Sequence, residues 1–363
     1  KRRMGTIAFT ASFMTCMKLM QLYAGKISKT YKYSIQNYRD MVTKLYRWDN
    51  QQMIMLNETK VMISLFFMEV VTTNMRISET LCCSVNINYD RPTSVHTLNS
   101  EKPLNDLELG HYTAGLIDGA GDFSKMGQLV IAYDEKDDSA AYWTKTQIGY
   151  GTVSKIKEKK ALNYVTSHSE GVKKVMHLMD GKTRTVTKFN QVQYTLNNHK
   201  TIYNYSQPFT MNTYTDFNNH WTAGFIDSDG SFQIKIRMSS NNPNCSRSKK
   251  PEVRLKTQIA QKQREILDAI RTFTAGPTKK GVYIGERMQK SKNGSELTTY
   301  YTETTSFSAF KRVANYIDHY PTISYKRTKY MWIRKAYTIV QSKDHMNPEG
   351  LKKIQEFKEK MKY

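Results

Sequence analysis

The stretch His111-Tyr-Thr-Ala-Gly-Leu-Ile-Asp-Gly-Ala-Gly-Asp-Phe123 returns later in the chain as His220-Trp-Thr-Ala-Gly-Phe-Ile-Asp-Ser-Asp-Gly-Ser-Phe232. Eight of the thirteen positions are identical at an offset of 109 residues. Repeats of about 20 to 50 residues indicate solenoids, whereas an offset this long indicates duplicated subdomains. The repeat therefore predicts two pseudo-symmetric halves.

Small residues lie four apart within each copy. They are Gly115 and Gly119 in the first copy, and Gly224 and Ser228 in the second. Residues four apart share one face of a helix. We therefore expect the two copies to form a helix pair whose backbones approach closely.

The residues around each copy predict where these helices begin and end. Polar stretches that suit a helix start, Asn105-Asp106 and Thr215-Asp216, precede the two copies. Gly121 and Gly230 follow them and are expected to end the helices.

The charge of the chain is strongly positive and unevenly distributed. Its 363 residues include 55 Lys and Arg against 32 Asp and Glu, a net charge of +23. The net charge is +7 for residues 1–100, +2 for residues 101–205 and +14 for residues 206–363. Such a surplus favours a nucleic-acid partner, because Lys and Arg neutralise phosphates and release counterions. A ribosomal-type protein or one that binds an anionic membrane surface is the alternative.

Several classes of protein are excluded by composition. The longest apolar run, residues 61–68, is too short to span a bilayer. Among the four cysteines only Cys82 and Cys83 are close in sequence, which is neither a disulfide framework nor a zinc-binding spacing. A membrane channel and a secreted disulfide scaffold are therefore excluded, and a reducing compartment is favoured.

Polar and apolar residues alternate in two segments after the second copy, residues 233–237 and 253–259. This period of two predicts half-buried strands with a basic, amide-rich outer face. Such a ribbon fits a nucleic-acid groove, and an ordinary solvated sheet is the alternative. The predicted nucleic-acid-binding residues on this face are Gln233, Lys235, Arg237, Arg254, Lys256 and Gln258.

The first half shows a shorter version of the same pattern, with a hairpin predicted over residues 152–166. Lys155, Lys157 and Lys159 lie on this hairpin. They suit a solvated sheet edge as well as they suit phosphate contact, and both interpretations stay open.

The segments Thr113-Ala-Gly-Leu-Ile-Asp-Gly-Ala-Gly121 and Thr222-Ala-Gly-Phe-Ile-Asp-Ser-Asp-Gly230 resemble the two motifs of the LAGLIDADG homing endonuclease and group I intron maturase family. The tail Tyr320-Pro-Thr-Ile-Ser-Tyr-Lys-Arg-Thr-Lys-Tyr330 looks like the closing segment of that family. The resemblance covers about residues 105–363. It implies an α+β fold in which two pseudo-symmetric αββαββα repeats form a saddle-shaped sheet.

Three regions follow from the motifs and this resemblance. Residues 1–100 are predicted to be a mainly helical N-terminal extension, with a linker over residues 86–102. Residues 101–205 would form the first, degenerate repeat and residues 206–363 the second. Ile148-Gly-Tyr-Gly-Thr-Val153 looks like the mitochondrial intron-encoded branch, which implies the mitochondrial matrix.

Active members of the family place a carboxylate at the eighth motif position of each helix, and the two hold divalent metal ions between the scissile phosphates. Such metals activate water and stabilise the leaving oxyanion, and Mg²⁺ prefers carboxylate and phosphate oxygens. The second copy has Asp229 there, the predicted metal ligand, but the first has Ala120, which cannot ligate a metal. The resemblance thus implies a phosphodiester hydrolase fold with half of its site missing, to which Mg²⁺ would bind weakly or through RNA.

Other positions match the family in the second half. Gln261 resembles the strand-end glutamine near the metal-bound water, and Lys326 resembles the lysine that polarises the scissile phosphate. With Asp229 they form the predicted catalytic set, weak or vestigial. Arg264 lies just beyond Gln261 and joins the predicted nucleic-acid-binding residues. No lysine counterpart is predicted in the first half.

The sixth motif position is an aspartate in both copies. Asp118 and Asp227 are expected to cap or brace the ends of the motif helices. Asp122 lies two residues after Ala120, and the less favoured prediction is that it reaches into the site.

The resemblance supports three functions. The favoured one is a maturase that binds a group I intron RNA and promotes its splicing, with DNA cleavage lost. An active homing endonuclease or nickase at the intron insertion site is the alternative, and a DNA-binding regulator is the third. A monomer with an internal pseudo-dimer is expected, without a membrane partner; a DNA target site and an auxiliary splicing protein are further candidate partners.

Overall fold

The computed structural model describes residues 89, 91–96, 100, 102–199, 203, 205, 208–237, 251–277, 280–290 and 296–362. The predicted helices of the N-terminal extension and the Cys82-Cys83 pair lie outside the described residues.

The first motif opens a repeat of alternating helices and hairpins. Its elements are α1 (Asp106–Ala120), β1 (Gly121–Phe123), β2 (Leu129–Asp134), a 3₁₀ turn (Glu135–Asp137), α2 (Asp138–Ile148), β3 (Thr152–Lys155), β4 (Ala161–Thr166), α3 (Ser169–Met179) and α4 (Val186–Asn198). The start of α1 is as predicted, because the Asn105 side chain accepts from the Glu108 backbone N–H at 2.9 Å.

The second motif opens a repeat of the same order. Its elements are α5 (Trp221–Asp229), β5 (Gly230–Arg237), β6 (Glu252–Gln261), α6 (Arg264–Ala275), β7 (Val282–Lys290), β8 (Glu296–Thr304), α7 (Phe307–His319), α8 (Lys326–Gln341), a 3₁₀ turn (Asp344–Met346) and α9 (Pro348–Lys360). Each repeat thus holds αββαββ followed by further helices.

The predicted start of the second motif helix is wrong. Thr215-Asp216 does not cap α5, which begins at Trp221. The Arg184 side chain holds this stretch instead, donating to the carbonyl oxygens of Tyr214 and Asp216 at 2.5 Å each. A contact from the other repeat therefore replaces the local helix cap.

Each repeat contains one antiparallel four-stranded sheet, and the two sheets have the same strand order. The orders are β1-β2-β4-β3 and β5-β6-β8-β7. The α+β fold with two pseudo-symmetric repeats is therefore confirmed. Helices cover one face of each sheet, and residues of both motif helices, including Leu116 and Phe225, join one core cluster.

Part of the predicted linker packs on the second repeat. The Asn315 side chain donates to the carbonyl oxygens of Tyr89 at 3.2 Å and Arg91 at 3.3 Å. Gln341 both accepts from the Thr93 N–H at 3.1 Å and donates to its carbonyl at 3.0 Å. We refer to residues 89 and 91–96 as the strap, since they join α7 and α8 to the chain that enters α1.

A buried ion pair links α7 to α8 beneath the strap. The Arg334 guanidinium lies 2.7 Å from Asp318, and each side chain is 3% exposed. Arg334 also donates to the carbonyl of His96 at 3.2 Å. Within the described ranges no helix is both long enough and apolar enough to cross a lipid bilayer.

Candidate nucleic-acid interface

The two motif helices pack backbone against backbone. A Cβ atom added at Gly115 would lie 2.8 Å from the Trp221 carbonyl carbon, and one at Gly224 would lie 2.8 Å from the Leu116 nitrogen. A Cβ at Gly119 would lie 2.8 Å from the Asp229 carboxylate. The small residues singled out in the sequence thus face each other along one helix pair. The feet of both helices consequently lie side by side.

Asp118 braces the first motif helix against both repeats. Its buried carboxylate accepts three hydrogen bonds at 2.8 Å, from the Arg184 backbone N–H, the Thr185 hydroxyl and the indole N–H of Trp221. Burial raises the pKa of Asp118 to about 6, and these hydrogen bonds oppose that rise.

Asp227 occupies the equivalent position in the second motif helix. It accepts from the Tyr112 hydroxyl at 2.8 Å and from the Ile323 N–H at 2.6 Å, and also from the Ser324 hydroxyl. Burial raises its pKa. Because each aspartate bonds an aromatic side chain of the opposite motif helix, the two form reciprocal braces between the repeats.

Asp229 lies at the foot of α5, where the sequence predicts a metal ligand. Its carboxylate accepts a hydrogen bond from the Gln261 amide, at the end of β6. Burial raises its pKa to about 6, opposed by nearby Lys326 and by the Gln261 hydrogen bond. At the foot of α1 the equivalent residue is Ala120, whose methyl group packs against the core. One carboxylate therefore stands where the motif pair would place two.

Lys326 is bonded to the protein backbone. Its ammonium donates to the carbonyl oxygens of Ile226 at 3.1 Å, Asp227 at 2.9 Å and Ser228 at 2.7 Å. These carbonyls lie in the last turn of α5, where a cation is favourable. A lysine ammonium has three N–H donors, so these three contacts account for all of them.

A lysine of the first repeat, missed in the sequence, lies close to the same acids. Lys188 is in α4, and burial lowers its pKa while Asp122, Asp118 and Asp229 raise it. The Gln191 side chain of the same helix accepts from Lys188 and donates to Asp122, each at 3.1 Å. Lys188 could have been found from its position in the sequence. It follows Arg184 and Thr185, which bond Asp118, by a few residues, just as Lys326 follows Ser324, which bonds Asp227.

The predicted binding residues of β5 and β6 share the outer face of the second sheet. Gln233 is opposite Lys256 and Lys235 is opposite Arg254, while Ser231 is opposite Gln258. Gln233, Lys235 and Arg237 are exposed. Lys256 is less available than expected, because it pairs with Glu303 of β8 and its side chain is only 13% exposed.

The remaining predicted binding residues lie elsewhere. Arg264 begins α6 and pairs with Asp268 at 3.3 Å. Lys155 is paired in the strand register with the buried Leu162 and forms an ion pair with Glu135 at 3.1 Å. It therefore lies on the inner face of the first sheet and not on its outer face. Lys157 and Lys159 are exposed in the turn after β3. The structure therefore does not bring these four residues together with the second sheet face.

The outer face of the first sheet carries no lysine or arginine among the described strand residues. The strand register places on it Asp122, Val130, Ala132, Asp134, Thr152, Ser154, Ala161, Asn163 and Val165. The two repeats share a fold, but among the described strand residues only the second sheet has a basic outer face.

Two like-folded repeats joined by a glycine-lined helix pair, with one carboxylate at its foot and a basic outer face on the second sheet, define an internally duplicated α+β protein. The model of the LAGLIDADG endonuclease family matches residues 222–337. The chain is 38% identical over 311 residues to the uncharacterized cox1 intron-2 37.2 kDa protein of Schizosaccharomyces pombe, covering 85% of this chain and 89% of that protein. The chain belongs to the LAGLIDADG endonuclease family.

Two further similarities are weaker. The probable intron-encoded endonuclease 4 of Neurospora crassa is 24% identical over 251 residues, which cover 67% of this chain and 42% of that protein. The solved structure of the LAGLIDADG meganuclease I-AabMI bound to uncleaved DNA is 19% identical, covers 71% of this chain and 99% of its own, and has a TM-score of 0.49.

The family implies a divalent metal centre at the feet of the motif helices, and the residues present do not fit one with paired ligands. Divalent cations of this kind prefer several oxygen ligands, carboxylates above all. Ala120 stands in the first motif at the position that Asp229 occupies in the second, and Lys188 and Lys326 add positive charge near Asp229. No cluster of three His, Cys, Asp or Glu side chains that could hold a metal ion occurs among the residues that the structure describes.

Proposed function

We propose that this protein is a maturase that binds a group I intron RNA and promotes its splicing, having lost DNA cleavage. The observation that carries the proposal is Ala120, a methyl group where the second metal-binding carboxylate is required. In this function the RNA supplies the transesterification chemistry and its own Mg²⁺. The protein contributes phosphate neutralisation and shape recognition.

The surroundings of Asp229 support the loss of cleavage. The neighbouring Lys326 ammonium donates to three carbonyls of α5, so contact with a phosphate would require it to leave at least one of them. Burial raises the pKa of the Asp229 carboxyl to about 6, so its capacity to ligate a metal falls as the pH drops below that value. The scaffold of the site with one carboxylate instead of two supports a protein that binds nucleic acid without cleaving it.

The charge distribution supports a polyanionic partner that binds mainly to the second repeat. Lys235, Arg237 and Arg254 lie on one sheet face, and the opposite repeat offers no matching cations on its own outer face among the described strand residues. Binding both halves of a DNA site in the same way would require a basic outer face on each of the two sheets. We place the protein in the mitochondrial matrix, where an intron-encoded protein would meet its RNA, acting as a monomer with or without an auxiliary splicing protein.

A paired assay tests the function. Purified protein is added to its own intron RNA at limiting Mg²⁺, and splicing is followed by gel; the same preparation is incubated with plasmid carrying the intronless target. We expect faster splicing and intact plasmid. Efficient double-strand cleavage without any effect on splicing would overturn the proposal.

Charge variants locate the RNA surface. Lys235→Ala and Arg254→Ala should each weaken RNA binding, and each should reduce the slope of log K against log salt by about 1 for every phosphate that the side chain neutralises. Lys353→Ala is the matched control, since Lys353 is exposed on α9. Equal effects of all three substitutions would show that the sheet face is not the binding surface.

An active endonuclease or nickase is the second candidate. The retained hydrogen bond between Gln261 and Asp229 favours it, because half of the family's site remains assembled. Single-strand nicking of the target plasmid that disappears in Asp229→Asn would establish this activity.

A further inference from the structure

An aromatic and basic cluster lies on the outer face of the second sheet, apart from the motif helices. Tyr283 and Arg287 of β7 flank Gly285, which is opposite Tyr301 of β8. The Tyr283 and Tyr301 rings meet edge to face with centroids 6.3 Å apart. The Arg287 guanidinium lies 5.4 Å from the Tyr301 ring centroid. We call Tyr283, Arg287 and Tyr301 the aromatic platform.

Gly285 makes this arrangement possible. A Cβ atom there would lie 2.5 Å from both Cζ and Oη of Tyr301, and 2.8 Å from the ring of Tyr283. The two rings therefore lie over the backbone of β7. On its other side, Tyr301 is opposite the small residue Ala260. Both neighbouring strands thus leave the Tyr301 ring room to lie along the sheet surface.

The aromatic platform is exposed to solvent, where the apolar surface of its rings is unfavourable. Tyr283 is 56% exposed, and Arg287 is exposed beside it. It shares its sheet face with Lys235 and Arg254. An exposed ring flanked by a guanidinium and lying on a basic face is what nucleic-acid-binding proteins use to stack unpaired bases.

We propose that the aromatic platform stacks an unpaired base of the bound RNA, with Tyr283 and Arg287 contacting the base and Tyr301 positioning them. The proposal rests on the maturase function and names the feature of the RNA that this repeat recognises: a base in a loop, bulge or single strand. Base pairs in an intact duplex keep their faces stacked on each other, so the platform favours structured RNA over duplex DNA.

Binding of matched variants tests this proposal. The probes are the intron RNA, an oligouridine and an oligothymidine of roughly 12 nucleotides each, and a duplex DNA of the target site. We expect Tyr283→Ala to weaken binding of the intron RNA and the single strands by roughly 5- to 150-fold, the range for one stacked base. Tyr283→Phe should bind like wild type, and duplex binding should not change.

Two further variants separate stacking from structure. Tyr194→Ala is the control, since Tyr194 of α4 is 58% exposed and lies in the other repeat; it should bind all probes normally. Gly285→Val should displace both rings and lower single-strand affinity, with thermal unfolding recorded to show that the fold is kept. If wild type binds intron RNA and Tyr283→Ala binds it equally well, stacking is refuted while the maturase function stands. If wild type binds only duplex DNA, both fail.

Discussion

Replacing Gly224 with alanine tests the close approach of the motif helices. The new Cβ would lie 2.8 Å from the Leu116 nitrogen and closer still to the Tyr112 carbonyl oxygen. Ordinary Cβ contacts begin near 3.4 Å, so the helices must separate by at least 0.6 Å, the difference between these two distances. Both obstructing atoms are backbone, so no side chain can move aside.

The cost follows from two opposing effects. Overpacking a rigid contact costs about 3 kcal/mol at the upper end of the usual range, whereas alanine improves helix propensity by about 1 kcal/mol over glycine. We therefore expect Gly224→Ala to lower the free energy of unfolding by about 2 kcal/mol. In a unit of about 250 residues this lowers Tm by roughly 4–8 °C.

Urea denaturation followed by tryptophan fluorescence measures this loss, since Trp221 is buried at the helix pair. Gly149→Ala is the comparison, because Gly149 has φ of 82° and nothing within 4 Å of the new Cβ, so only backbone strain acts there. Gly115→Ala should lower the free energy of unfolding by about as much as Gly224→Ala. The double variant should lose less than the sum of the two single losses, because the helices need to separate only once. A Gly224→Ala protein within about 0.5 kcal/mol of wild type, the usual range for neutral surface changes, would refute the close approach.

Three further predictions concern the site and the core. Ala120→Asp restores the missing carboxylate and should give Mg²⁺-dependent nicking of target plasmid where wild type gives none. Ala120→Asn, which has the same shape without the charge, is the control. If Ala120→Asp shows neither nicking nor metal binding, the assignment of position 120 is contradicted. The pKa of Asp229 is raised from 3.8 to about 6 in the folded protein, so the folded state binds the proton more tightly and stability is lost as pH rises between these values. The stability of Asp229→Asn relative to wild type should therefore increase by up to about 2 kcal/mol from about pH 4 to about pH 7, and a flat difference would show that the carboxyl is not perturbed. Asp318→Asn leaves Arg334 buried without its counter-charge and should cost about 3–5 kcal/mol in urea denaturation, and Asp318→Leu combined with Arg334→Met should recover much of that loss.

The elements set by local sequence were predicted well. The Asn105 cap and the period of two in β5 and β6 depend on neighbouring residues, and the structure shows these elements within a few residues of the predicted limits. Helix α4 was missed because it buries only Val192, Thr195 and Leu196, too few to give a helical pattern.

The contacts that the sequence does not reveal come from distant residues. Thr215-Asp216 is a good local helix start, yet Arg184 of the other repeat donates to the carbonyl oxygens of Tyr214 and Asp216 and the helix begins only at Trp221. Lys256 was predicted to face nucleic acid, but Glu303 pairs with it from 47 positions away. Lys326 matches its motif position, yet only the folded structure reveals that its ammonium bonds the end of α5.

The strap sets a condition on how the chain folds as it is synthesised. Its partners Asn315, Arg334 and Gln341 lie 222 to 248 positions further along the polypeptide. Because translation proceeds from the N-terminus, the ribosome releases the strap long before α7 and α8 exist. Its docking must therefore wait until α7 and α8 have been synthesised, and a polypeptide truncated before α8 would lack Arg334 and Gln341, on which the strap docks.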